Sequence, residues 1–319
     1  MRDDRPIPIN VGPPVYQKFR TGSYLIYDDE PLGVTHFRKG TKLKDQPFRA
    51  SGSRQLDVAR LADALKSAPS GSQLHLVDLR EETHLFCDGR AVSWYADKDF
   101  ANVGQSLEWI VADEAAQRDI INALRATQIF SIKEDDQTGN VTPTAYSELV
   151  VTLAATEKDV AAQMHSSFRP NYIRIPVTDH CMPSEDALNR FVKLCVSLKP
   201  DDWVHCHCHG GDGRTTTFLA LFDMVHWAKS KGIKGFPTID DFAHRQCELF
   251  AYCLKPDGCP DTWKCKGAKG DAVTTAPPNQ DWKYHLAQQR WRFLDLVRTW
   301  IVKGGLSGLD PFSLPNNWE

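Results

Sequence analysis

The sequence predicts an α/β fold, and three observations carry the prediction. From Ala161 onward, strand-like and helix-like patterns alternate. A short apolar run, WVHC from Trp203, leads into a glycine-rich loop and then a helical pattern. The chain has 319 residues, 41% of them hydrophobic and 25% charged, enough for a sizeable core in one large domain, or in one domain with an insertion.

The first 47 residues read as a loop-rich arm rich in proline. Val58, Leu61 and Leu65 repeat at helical spacing between Leu56 and Leu65, and LHLVDL (Leu74 to Leu79) is a strand ending in an acid. Between about 95 and 151 a short helix (Ile120, Ile121, Leu124) precedes two strand-like runs, QIFSI and SELVVTL. The turn DQTGN separates these runs, so a small β-rich inserted unit is expected there. YIRIPV (Tyr172 to Val177) is a strand. Ser184 is an N-cap with Glu185 and Asp186 behind it, and Leu188, Phe191, Val192, Cys195 and Leu198 give that helix one apolar face. Lys199-Pro200 stops it. A further helix begins at Thr215. The last helix runs from Gln280 to Val302, with residues 303–319 as a tail. Lys255 to Pro278 reads as an insertion.

The net charge of −3 offers no global field for nucleic acid or an acidic membrane, so an anion would be held by a local cluster. No apolar run reaches transmembrane length, and the N-terminus lacks the apolar core of a signal peptide. The expectation is a soluble protein. It is either not exported by that route, exported with its signal missing from this chain, or delivered as an effector. Nine cysteines leave at least one unpaired within the chain. Cys247, Cys253, Cys259 and Cys265 recur every six residues, which matches no standard zinc spacing, and are expected to be thiols with at most one disulfide.

The chemistry concentrates in VHCHCHGGDGRTTTFLALF, Val204 to Phe222. A metal site would normally draw on two separated ligand pairs, and no second pair is evident. Read from Cys208, the pattern is a cysteine, five residues, Arg214 and Thr215. Loop amides and a helix N-terminus favour a thiolate at Cys208, which suits a nucleophile. Gly210, Gly211 and Gly213 let the backbone turn its N–H groups toward phosphate oxygens, with His209 and Asp212 completing the loop. Arg214 offers a bidentate fork to the same oxygens. Thr215 can donate to the sulfur when it leaves, and His207 can fix the loop. Cys206 reads as a strand residue. An acidic Asp212 would repel a phosphate if it pointed inward and is expected to point away.

His207, Cys208, Gly211, Gly213, Arg214 and Thr215 resemble the signature loop of the protein tyrosine phosphatase superfamily. FRASG (Phe48 to Gly52), DLREETH (Asp78 to His84), VSWYADKDFANVG (Val92 to Gly104) and YIRIPVTDH occur in the order seen in the tyrosine-phosphatase-like phytases, which strip phosphates from myo-inositol hexakisphosphate. The resemblance runs from about Phe48 to Phe222, with weaker similarity to the C-terminal helix. It implies a central sheet flanked by helices in a catalytic domain of about 48–302. It also implies a general acid at Asp179, a supporting site residue at His180 and a substrate-binding arginine at Arg49.

Helical spacing adds a separate pair. Lys283 and Arg290 are seven residues apart, about two turns, and lie within the apolar stripe of the last helix, where a cation needs a carboxylate, a phosphate pocket or a route to the surface. Tyr284 and Lys98 are weaker candidates. Asp78, Arg80 and His84 are expected to support the scaffold. The function expected is phosphomonoester hydrolysis through a cysteinyl-phosphate, with no metal or other cofactor and an inositol polyphosphate as the small-molecule substrate. The rivals are a protein tyrosine, dual-specificity or phosphoinositide phosphatase and, outside the enzymes, an inactive phosphate-binding module.

Overall fold

The computed structural model describes residues 22–28, 35–249, 252–260, 263, 282–306 and 311–315. Its strands are β1 (Ser23–Tyr27), β2 (Arg38–Lys39), β3 (Ala50–Arg54), β4 (Leu74–Arg80), β5 (His84–Cys87), β6 (Arg90–Ala96), β7 (Ala126–Glu134), β8 (Val141–Val150), β9 (Ala154–Ala155), β10 (Asn171–Val177) and β11 (Trp203–Cys208). The helices are α1 (Val58–Lys66), α2 (Leu107–Leu124), α3 (Glu157–Gln163), α4 (Glu185–Ser197), α5 (Gly213–Lys231), α6 (Ile239–Glu248) and α7 (Trp282–Val302).

The central sheet has the order β10-β4-β11-β3-β2. β10, β4, β11 and β3 are parallel, and β2 is antiparallel at the edge. Alternation along β4 shows why both faces are covered. Leu74 and Leu76 enter a cluster with Leu61, Leu65 and Val160 of α1 and α3. Val77 and Leu79 enter a larger one with residues of α4, α5, α6 and α7, including Phe191, Phe218, Phe242 and Phe293. α5 is buried through most of its length because it crosses the middle of this face. A Cβ on Gly52 in β3 would stand 2.6 Å from Thr215 Cγ2, so that glycine sets how closely α5 approaches the sheet.

A second sheet, β1-β6-β5-β9, is antiparallel, and β7 and β8 form a hairpin beside it. The β-rich unit expected at about 95–151 therefore extends further, into β1, β5 and β6. The arm before residue 48 is woven into both sheets through β1 and β2, because each offers a free backbone edge a partner. α2 is a full helix of 18 residues, not a short one, and α6 is an addition to the elements expected. In the tail, Phe312 is buried and its N–H donates to Asn189 of α4. Cys253 and Cys259 form a disulfide, with Cys247 Sγ 3.3 Å from Cys259 Sγ. Cys265 and most of Lys255 to Pro278 lie outside the described residues. No helix among the described residues is long and apolar enough to cross a membrane.

Candidate active site

Parallel register brings the carboxyl ends of β3, β4, β10 and β11 to one edge of the sheet, where ligands of such folds gather. Cys208 pairs with Arg54, His207 with Asp78, and Val177 with Arg80. The loop after β11 turns at Gly211, whose φ is +77°. Its amide donates to Cys208 Sγ at 3.2 Å, and Thr215 Oγ1 lies 3.1 Å from the same sulfur. α5 then starts at Gly213, so its N-terminus faces the loop. Cys206, one pleat back, belongs to the apolar core, and burial pushes its thiol well above the ordinary range.

Gly211 is the tightest point. A Cβ there would stand 2.3 Å from the Arg54 amide nitrogen, in a backbone region that disfavours L side chains. Gly211→Ala is therefore expected to break the loop and abolish phosphate binding. Titration calorimetry with inorganic phosphate checks this, and binding retained at wild-type strength would show that the loop tolerates the clash.

Arg214 is fully buried. Its Nη1 and Nη2 donate to Glu82 at 2.7 and 3.0 Å, and Nη1 also reaches the Val177 carbonyl at 3.1 Å. Burial works against the charged guanidinium, but Asp179 and Glu82 outweigh it and hold its pKa well above the ordinary value. Its Nε lies 3.0 Å from Asp179 Oδ1, yet the direction is poor and the Nε–H finds no acceptor among the described residues. The same holds for Nε of Arg54 and of Arg290. Three buried guanidinium N–H groups around one glycine loop, each without an acceptor, are an arrangement that an anion would complete.

Asp179 follows β10 and stands 3.3 Å from His180 Nε2. Burial raises its pKa, but Arg214 and then His180 prevail, leaving it below the usual carboxylate value. His180 sits at φ +61°, its ring edge-on to Trp282 at 4.9 Å. Arg290 of α7 donates to the His180 carbonyl at 2.8 Å, and a Cβ on Gly213 would be 3.0 Å from its Nη1, so this arginine joins the acid's loop to the glycine loop. Lys283 lies on the same side, close enough to lower the His180 pKa after burial and Asp179 have acted on it, and its Nζ is 3.2 Å from Glu134. Lys98 lies over the Trp282 ring, whereas the Tyr284 hydroxyl turns to Asp257.

Each histidine of HCHCH has a different partner. His205 lies between Ser51 and Ser53, His207 is 3.1 Å from Glu157, and His209 lies 3.3 Å from Asp99 and 3.5 Å from Asp28. Asp78 and His84 form a buried network with Arg174 and Glu157, while Arg80 holds Asp28 and Glu82. Asp212 turns outward to His36.

Arg49 is the correction. It precedes β3, at the end of the sheet opposite Cys208, and donates to Ser72 and to the Asp201 and Asp202 carbonyls. Arg54, at the other end of the same strand, occupies the position beside the loop that was expected of Arg49. Sequence reasoning also missed Glu82, Asp99 and His36. Glu82 lies within DLREETH, a motif already singled out, and a polar run following a strand was the available signal.

Residues 77–226 match the PTP-like phytase family model, described as inositol hexakisphosphate. The chain is 27% identical over 185 residues to effector protein hopD2 of Pseudomonas syringae pv. tomato, covering 57% of this chain and 38% of the relative. It is 29% identical over 170 residues to human Paladin, covering 52% and 17%. The chain thus spans well under half of the length of these curated relatives. The fold superposes on the PTP-like myo-inositol phosphatase of Mitsuokella multacida with a TM-score of 0.63 and 24% identity, covering 94% of this chain and 50% of that one. A PTP-like phytase from Bdellovibrio bacteriovorus gives 0.61 and 24%, covering 93% and 94%. The loop from Cys208 to Arg214 and the strand leading to Asp179 fall inside the matched segment, which is just under half of the chain, and the fold is the one seen in the PTP-like phytase structures.

Proposed function

We propose that this chain hydrolyses phosphomonoesters of myo-inositol hexakisphosphate and lower inositol polyphosphates through a cysteinyl-phosphate, with no metal. The observation that carries the reading is the buried Arg214, close enough to Cys208 to feel its charge, with an Nε–H that lacks an acceptor among the described residues. In the first step the Cys208 sulfur attacks phosphorus, the bond to the inositol oxygen breaks, and Asp179 gives that oxygen its proton. In the second step water attacks phosphorus, Asp179 takes a proton from the water, and the sulfur leaves with the Thr215 hydroxyl donating to it. Loop amides and Arg214 hold the charge on the phosphoryl oxygens throughout. Glu82 keeps the Arg214 fork in place, and the buried contact of His207 with Glu157 steadies the strand that ends in Cys208. A panel of substrates tests the reading: phosphate release should be greatest from inositol polyphosphates and should persist in excess chelator. Preference for phosphotyrosine peptides would overturn it. The similarity to a bacterial effector supports delivery into a host cell, which a translocation reporter fused to the chain would test.

The cations outside the cleavage point should separate substrates. Among the described residues, Arg54 and Arg290 each retain a buried N–H without an acceptor, and a charge-assisted hydrogen bond contributes about 1.5–3 kcal/mol. Alanine at either is expected to lower kcat/KM for the hexakisphosphate by roughly ten- to a hundredfold, with a smaller loss on a small aryl phosphate. Lys283, partly exposed and close to Glu134, should show a weaker effect of the same kind. Arg49→Ala should leave the ratio between the two substrates unchanged. A ratio that shifted for Arg49 and not for Arg54 would reverse the assignment.

A further inference from the structure

Asp212 places a carboxylate inside an anion-binding loop, against the loop's proposed task. Its side chain points outward, and Oδ1 lies 3.1 Å from His36 Nδ1. The same His36 nitrogen is 2.8 Å from the Gly210 carbonyl oxygen. A proton on that nitrogen therefore serves the loop backbone and the loop's acid together. His36 is held from behind as well. Its backbone stands at φ +47°, and its carbonyl accepts from Arg38 Nη1 at 3.0 Å. Arg38 is buried, and its Nη2 donates to Thr216 Oγ1 of α5 at 2.8 Å. The imidazole thus meets the loop at Gly210 and Asp212, and the His36 carbonyl is linked through Arg38 to Thr216.

We propose that His36 and Asp212 form a charge pair that sets how strongly the loop accepts highly phosphorylated substrates. The inference rests on the phosphatase reading of the loop. With the imidazole protonated, the pair is neutral, and the loop's amides and Arg214 set the local potential. With the imidazole neutral, the Asp212 charge is offset only by the more distant Arg38 and opposes each phosphate next to the one being cleaved. A monophosphate has no such neighbours, so the pair acts on substrate choice more than on the chemical step.

The surroundings favour the protonated form. The hydrogen bond to Asp212 raises the His36 pKa most, burial lowers it, the Asp212 charge and the Gly210 carbonyl raise it, and Arg38 lowers it. The net shift is upward. Among the described residues, the groups facing the imidazole are Asp212 and the Gly210 carbonyl from the loop and Arg38 from β2, with Thr216 of α5 behind Arg38. The sign follows: the pair is neutral below the raised pKa and carries one negative charge above it. Its side chains are 37% and 46% exposed, so solvent and salt screen the effect and keep it moderate.

Asp212→Asn keeps the shape and removes the charge. The measurement is kcat/KM for the hexakisphosphate, variant over wild type, from about pH 5 to about pH 9 at low salt. The ratio is expected to be smallest on the acid side and to rise roughly three- to tenfold as His36 loses its proton, through KM and not kcat. His36→Gln leaves Asp212 unneutralised at every pH, so adding Asp212→Asn to it should give a gain that no longer varies with pH. Calorimetry with the hexakisphosphate on the same substitutions in a Cys208→Ser background should show the same trend, and inorganic phosphate, which has no neighbouring phosphates, should show little of it. It needs no turnover, so the inference can be judged even if inositol phosphates prove not to be substrates. A ratio independent of pH in the Asp212→Asn comparison, or a change confined to kcat, would overturn the proposal. Either result would leave Asp212 a purely structural residue of the loop.

Discussion

Cys208→Ser is expected to remove turnover, by on the order of 10⁴-fold or more, while the protein stays folded and still binds phosphate. A serine hydroxyl in the same place is a far weaker nucleophile than the sulfur it replaces. The structure favours this sulfur on geometry. Cys208 accepts from the Gly211 amide and sits beside the Thr215 hydroxyl, whereas Cys206 is packed among apolar side chains and burial disfavours its thiolate. Cys206→Ser should therefore keep most activity, with a modest loss of stability from a hydroxyl placed in the core. Single-turnover assays with acid quench should trap the phosphorylated sulfur in wild type and not in Cys208→Ser. Activity that survives at Cys208 and is lost at Cys206 would show that the wrong thiol has been chosen.

The two cysteines could be ranked from sequence because the loop is contiguous. Cys208, Gly211, Gly213, Arg214 and Thr215 lie within eight residues, and the strand and helix on either side show by their apolar spacing. Arg49 shows where such reading stops. The motif FRASG was legible, but which end of β3 meets the glycine loop depends on register with β11, and no local pattern encodes that. Arg54 wins the position because it pairs with Cys208. Glu82 was hidden for a related reason: it holds Arg214 from 132 positions away in the chain. His36 and Asp212 are 176 residues apart, so the outward turn of Asp212 could be expected but not its partner. α2 looked shorter than it is because polar and charged residues interrupt its apolar spacing, and Glu114 and Gln117 share the buried face with Ile110 and Ile121, where Glu114 pairs with Arg174.

Asp179→Asn tests the acid, and its pH dependence carries more information than its size. Turnover of inositol phosphates should fall by ~100-fold or more, the usual scale for a lost general acid. An aryl phosphate should lose less, because its leaving group needs less protonation. In the ligand-free protein burial raises the Asp179 pKa, but Arg214 and His180 outweigh it and favour the ionised form. A general acid has to hold its proton when substrate is bound. The phosphoryl group supplies the change: it draws on the Arg214 charge and adds negative charge of its own, and both raise the carboxyl pKa. The alkaline limb of kcat, which reports the complex, should therefore lie at higher pH than that of kcat/KM, which reports the free enzyme. Asparagine should remove both limbs while keeping an acceptor for the His180 amide, which Asp179 Oδ1 holds at 2.9 Å. Equal losses on aryl and inositol phosphates, with both limbs retained, would mean that Asp179 only shapes the loop after β10.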